Sequence, residues 1–127
     1  MGLKTRFTQW NAKRKERNKY KVRALYYKGA WYFGETLQGR EHGQGRMEWD
    51  DSGEDTGRSY VGGWEYGKKH GYGKLVWAKG SYEGGWEYGE WHGYGKLSWA
   101  DISYEGGLKE GKRHGYGKID GPPGYFY

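Results

Sequence analysis

From residue 60 onward, large rings and glycines alternate with polar or small residues at a period of two. Tyr60, Gly62, Trp64 and Tyr66 fall on one side of an extended backbone, and Val61, Gly63 and Glu65 fall on the other. The glycine-bounded stretch from Gly67 to Gly71 predicts a reversal, and Tyr72 to Trp77 predicts a returning strand. Ala78 to Ser81 then turns the chain into the next unit. The pattern describes a β-hairpin with one ring-bearing side and one polar side.

That hairpin recurs. Tyr60 to Gly73, containing His70, is spelled again from Tyr82 to Gly95 with His92 and from Tyr104 to Gly117 with His114, a step of 22 residues each time. Another copy, Tyr32 to Gly45 with His42, stands 28 residues upstream, because an acidic, turn-rich insertion around Asp50 to Asp55 lengthens the connection. Leu25 to Gly29 matches Leu75 to Gly80, as though half a repeat opened the array. Half a repeat and four hairpins predict nine strands, a ribbon roughly 38 Å across at the usual strand spacing. A tall ring can lie over the sheet only where the neighbouring strand carries no side chain, and Gly73, Gly84, Gly95 and Gly106 are expected to supply those bare sites. Gly67 and Gly71 are expected to supply positive φ in the turns.

The tandem pattern Y-x-G-x-W-x-x-G-x-x-H-G-x-G resembles the MORN (membrane occupation and recognition nexus) repeat. The resemblance spans residues 32–117 and excludes the N-terminal arm. It implies an all-β fold, an elongated single-layer antiparallel sheet of tandem hairpins. The resulting organisation is a basic arm over 1–21, an array over 22–121 and an aromatic tail over 122–127. Within the array a half repeat covers 22–29, and repeats start near 32, 60, 82 and 104. Thr36 and Leu108 depart from the pattern at the Trp64 position, and the step of 22 is one residue shorter than in many members. The end repeats therefore read as caps. The resemblance also implies a place in a large cytoskeletal or ciliary assembly, such as an axonemal complex.

Composition changes the picture in one respect. Leu, Ile, Val and Phe number only 14 of 127 residues, which beside a net charge of +6 would signal disorder, but aromatic residues at 20% and 26 glycines suit pleated sheet and tight turns. The chain bounds one domain. It has no Cys, hence no disulfide or thiolate metal site. No apolar run approaches the ~20 residues of a membrane-spanning helix, and residues 1–29 lack the apolar core of a secretory leader. Charge is segregated: residues 1–29 hold ten Lys or Arg against Glu16, a balance of +9, so residues 30–127 carry −3.

Four histidines at one motif position invite a metal reading. Equivalent sites two strands apart are separated by about 9.6 Å, however, whereas Zn–N bonds are ~2.0–2.1 Å. Each ring is expected instead to hydrogen-bond its own hairpin. Gly106 to Lys112 fits G-x-x-x-x-G-K, but Arg113 follows where a hydroxyl is needed, and no helix is expected after it. The serines lack a nucleophile elbow. No catalytic residue, metal ligand or cofactor is expected.

The ringed surface is the sharper signal. Tyr60, Trp64, Tyr66 and Trp77, then Tyr82, Trp86, Tyr88 and Trp99, are expected on one face without a second layer, more apolar surface than monomers usually leave open. They are the candidate contacts for a helix or extended segment of a partner protein. The competing expectation is that the rings pack on one another under Tyr125 to Tyr127. The opposite face, with Glu83 and Glu105 between Lys74, Lys96 and Lys118, reads as a solvated charge ladder. Trp91 is anomalous, because Glu41, Lys69 or Arg113 stands at that position in other copies.

The arm, with Lys13, Arg14, Lys15, Arg17 and Lys19, is expected to fasten to an acidic neighbour: a protein, RNA or an anionic leaflet. The reading is thus a non-catalytic scaffold within a large cytoplasmic assembly of cytoskeletal or ciliary type. The alternatives are an anionic-lipid recruitment module and an accessory subunit of a mitochondrial complex.

Overall fold

The computed structural model describes residues 21–27, 29–50 and 57–123. The strands are β1 (Lys21–Tyr27), β2 (Ala30–Leu37), β3 (Arg40–Trp49), β4 (Ser59–Glu65), β5 (Lys68–Trp77), β6 (Gly80–Glu87), β7 (Glu90–Trp99), β8 (Ile102–Lys109) and β9 (Lys112–Asp120). They form one open antiparallel sheet in strict sequence order, and no helix occurs among the described residues. The nine strands and the single layer are those expected from the repeat. Most of the expected arm, the Asp51–Asp55 portion of the insertion and the end of the aromatic tail lie outside the described residues.

The hairpin turns are tighter than expected. Tyr66 and Gly67 both take positive φ (47° and 81°), as do Tyr88 with Gly89 and Glu110 with Gly111. Two such residues make a type I′ turn, whose twist matches that of the strands it joins. The returning strand therefore starts at Lys68, and His70 and Gly71 belong to β5 and not to the loop. The register shifts between Gly62 and Trp64, and again between Gly84 and Trp86 and between Gly106 and Leu108. Each hairpin thus carries a bulge at its paired glycines.

Those glycines serve two needs. A Cβ on Gly73 would lie 2.1 Å from the Tyr60 hydroxyl, so Gly73 is bare because a ring covers it. A Cβ on Gly84 would instead meet the Gly95 Cα at 2.4 Å and the Tyr94 carbonyl oxygen at 2.6 Å. Gly84 and Gly106 thus admit the close approach of a neighbouring backbone as well as a ring, because the hydroxyls of Tyr82 and Tyr104 would also lie 2.8 and 2.9 Å from a Cβ there.

Candidate functional site

On the ringed face the described core is a zipper of alternating tyrosine and tryptophan. Successive centroids, Tyr32 to Trp64 to Tyr60 to Trp86 to Tyr82, are 5.4, 5.0, 5.4 and 5.2 Å apart, with planes at 84–89°. This edge-to-face geometry sets a positive ring edge against a negative ring face. The polar atoms are satisfied by backbone. The hydroxyls of Tyr60 and Tyr82 donate to the carbonyls of Gly63 and Gly85, both at 2.8 Å. The indole Nε1 atoms of Trp64 and Trp86 donate to Gly45 and Gly73, both at 3.1 Å. Burial pushes the Tyr82 phenol up to about 12 and raises that of Tyr60 further.

This arrangement sorts the eight candidate contacts. Tyr60, Trp64, Tyr82 and Trp86 are buried in the zipper and form the core. Trp77 and Trp99 share that face but stand at its connection side, where register aligns them with Tyr27 and Trp49; they remain partly open. Tyr66 and Tyr88 do not join them. Their positive φ turns them away, and their rings rest on His42 and His70, at 4.9 and 4.5 Å. The arm candidates Lys13, Arg14, Lys15, Arg17 and Lys19 lie outside the described residues.

The other margin of the face is formed by Glu41, Lys69, Trp91 and Arg113, cross-strand from Thr36, Trp64, Trp86 and Leu108. Trp91 stacks on Tyr82 with centroids 4.9 Å apart and planes at 19°. Lys69 extends its ammonium over four rings, 5.3 Å from Trp49, 5.5 Å from Tyr60 and 5.7 Å from both Trp64 and Trp86. Burial, then the nearby Arg58 charge, pushes the Lys69 pKa down. Arg58 lies over Trp49 at 4.1 Å. The anomaly at Trp91 is thereby explained: this position caps the tyrosine of its own hairpin with whatever side chain it carries, and its strand parity was a usable signal.

The histidines link consecutive hairpins. Nδ1 of His42 and of His70 accepts from the amides of Tyr66 and Tyr88, each at 3.3 Å in the following turn. Nε2 of His70 and of His92 contacts Glu65 and Glu87, each at 3.0 Å in its own hairpin. A backbone amide can only donate, so the His70 Nδ1 is the bare nitrogen and its Nε2 faces the carboxylate. The expected bond within the hairpin is present at His70 and His92, and a second one reaches beyond it.

The reverse face departs from a purely solvated ladder. The ladder exists, with Lys74 opposite Glu83 and Lys96 opposite Glu105. At the N-terminal end, however, Val22, Tyr26, Trp31 and Phe33 stand open on β1 and β2. Tyr26 and Trp31 touch at 4.6 Å. Periodicity applied to residues 22–33 would have placed them there.

The repeat geometry agrees with comparison to known families. The MORN repeat model matches residues 27–54, 60–81, 82–101 and 104–124, most of the chain. The chain belongs to the MORN repeat family. It is a repeat protein of the protein-binding or lipid-binding kind. No curated protein matches it. Within the MORN array, the tyrosine and tryptophan of the motif build the zipper, its paired glycines admit the bulge, and its histidine ties one repeat to the next.

Proposed function

We propose that this MORN protein is a non-catalytic scaffold that seats a helix or extended segment of a partner protein along the ringed face. The observation that carries the reading is the open margin formed by Trp77 and Trp99, with half-buried Leu75 and Leu97 between it and the capped row. No described residue forms a second layer over this face. Rings held in place by a packed core lose little conformational freedom on contact, which suits them as anchors. The basic arm adds attachment to an acidic neighbour within a large cytoskeletal or ciliary assembly. The test replaces Trp99 with a photo-crosslinking residue and compares it with the same replacement at Lys74 on the reverse face. Cross-links to one protein segment from position 99 only, lost when Trp77→Ala is added, are expected. Equal yields at both positions would refute the scaffold.

A second reading is favoured by the open reverse-face rings Tyr26, Trp31 and Phe33, which follow the arm directly in the chain. Aromatic rings beside a polybasic segment suit recruitment to an anionic bilayer. Sedimentation with phosphatidylserine vesicles would then fall on removing residues 1–20 and fall again with Trp31→Ser and Phe33→Ser. Residence in mitochondria would favour the third role, an accessory subunit there.

A further inference from the structure

The repeat shows what β9 lacks. Inside the array, each returning strand is flanked on its far side by the outgoing strand of the next hairpin; three contacts meet at β5/β6, of which the first two recur at β7/β8 and the third at β3/β4. A lysine faces a glutamate, Lys74 opposite Glu83 and Lys96 opposite Glu105. A tyrosine meets that same carboxylate: Tyr94 donates to Glu105, and Tyr72 bonds Glu83 likewise. The tryptophan of the outgoing strand donates its Nε1 to a glycine carbonyl, as Trp86 does to Gly73.

β9 carries the same receiving groups: Lys118, Tyr116 and the carbonyl of Gly117. Among the described residues it pairs only with β8, and Tyr116 is 99% exposed. We propose that the open edge of β9 is a strand-addition site for an extended acidic segment of another protein, of the type aromatic-Glu-Gly-Gly-aromatic. In antiparallel register its first aromatic residue faces Ile119, its glutamate Lys118, its first glycine Gly117, and its second aromatic residue Gly115. Main-chain bonds along the edge supply affinity, and the Lys118 and Tyr116 contacts select the acid.

Charge and strand type argue against a second copy as the occupant. The two open edges, β1 and β9, both belong to returning strands. Both are basic, with Lys21 and Arg23 on β1 and Lys112, Arg113 and Lys118 against Asp120 on β9. The acidic outgoing strands of a copy are already paired on both sides. The site is separate from the ringed face, so each can fail without the other.

The test titrates the full chain with a synthetic peptide copying residues 80–88, up to millimolar concentration, and follows amide NMR shifts. Saturable shifts along β9 are expected, with no change along β1. Reversing the peptide glutamate to lysine, or Lys118→Glu in the protein, should each weaken binding about five- to tenfold, and combining the two reversals should restore it. Tyr116→Phe, which removes only an exposed hydroxyl, should weaken binding about two- to fivefold. Absence of shifts, or binding indifferent to Lys118→Glu, overturns the proposal. Binding that requires deletion of residues 124–127 also overturns it, by making the chain's own tail the occupant. Dimerisation abolished by Lys118→Glu overturns it in favour of a second copy.

Discussion

The two faces of this sheet bear similar rings and treat them in opposite ways. On the ringed face Tyr60 is fully buried and Trp64 is 6% exposed, whereas Trp31 and Phe33 on the reverse face are 51% and 64% exposed. Hydrophobicity does not separate them. The difference lies beneath the ring: Gly73 lets Tyr60 lie down across the next strand, whereas Phe33 stands opposite Arg46 and Ala24. A single layer makes a core when its rings recline on glycine, and an exposed patch when they stand upright.

The strongest way to break this contrast is to remove a ring from the zipper. Trp86→Ala, at a buried site contacting two tyrosines, should cost about 3–5 kcal/mol in denaturant unfolding followed by circular dichroism. Gly73→Ala should cost about 1–3 kcal/mol although it deletes no side-chain atom, because the new methyl displaces Tyr60; an unchanged unfolding midpoint would sink the reclining-ring account. Tyr60→Phe leaves the Gly63 carbonyl without its phenol donor and should cost about 1–2 kcal/mol.

Alkali offers a graded version of the same test. The unfolded tyrosine ionises near its ordinary value of 10.0, while Tyr82 in the fold does so only at about 12. The neutral phenol is the folded form, so its stabilisation is complete below pH 10 and is lost as pH rises from 10 through about 12. Tyrosinate absorbance should show a late-titrating class that merges with unfolding. At the small end, Trp31→Ser or Phe33→Ser should shift stability by no more than about 0.5 kcal/mol. A larger loss would mean that the reverse-face rings also belong to the core.

Most of the fold was legible in the sequence because its devices are local. Period-two alternation, glycine-bounded turns and the step of 22 indicate the strands, their order and their number without long-range information, although the turn closes at Tyr66 and Gly67 and not across Gly67 to Gly71. The fate of the rings was less legible. Tyr60 and Tyr66 share parity on paper, but the bulge and the left-handed conformation of Tyr66 send them to different surroundings. Likewise, the histidine spacing does not reveal that Nδ1 would reach the next turn. Trp49 stands 28 residues before Trp77, the offset of the first full copy, and was readable as a rim position. Strand parity could have placed Trp91 and Lys69 on the ringed face, but the rings that they cap required register.

Strand order that never departs from chain order has a mechanical consequence. No described strand is clamped between elements remote in sequence, so tension applied across the sheet from β1 to β9 loads the hairpins in series, and each can peel off while the remainder holds. Under load the molecule should lengthen in steps of one repeat and shorten again as hairpins re-form against an intact neighbour. Such a ribbon would act as a small extensible tether.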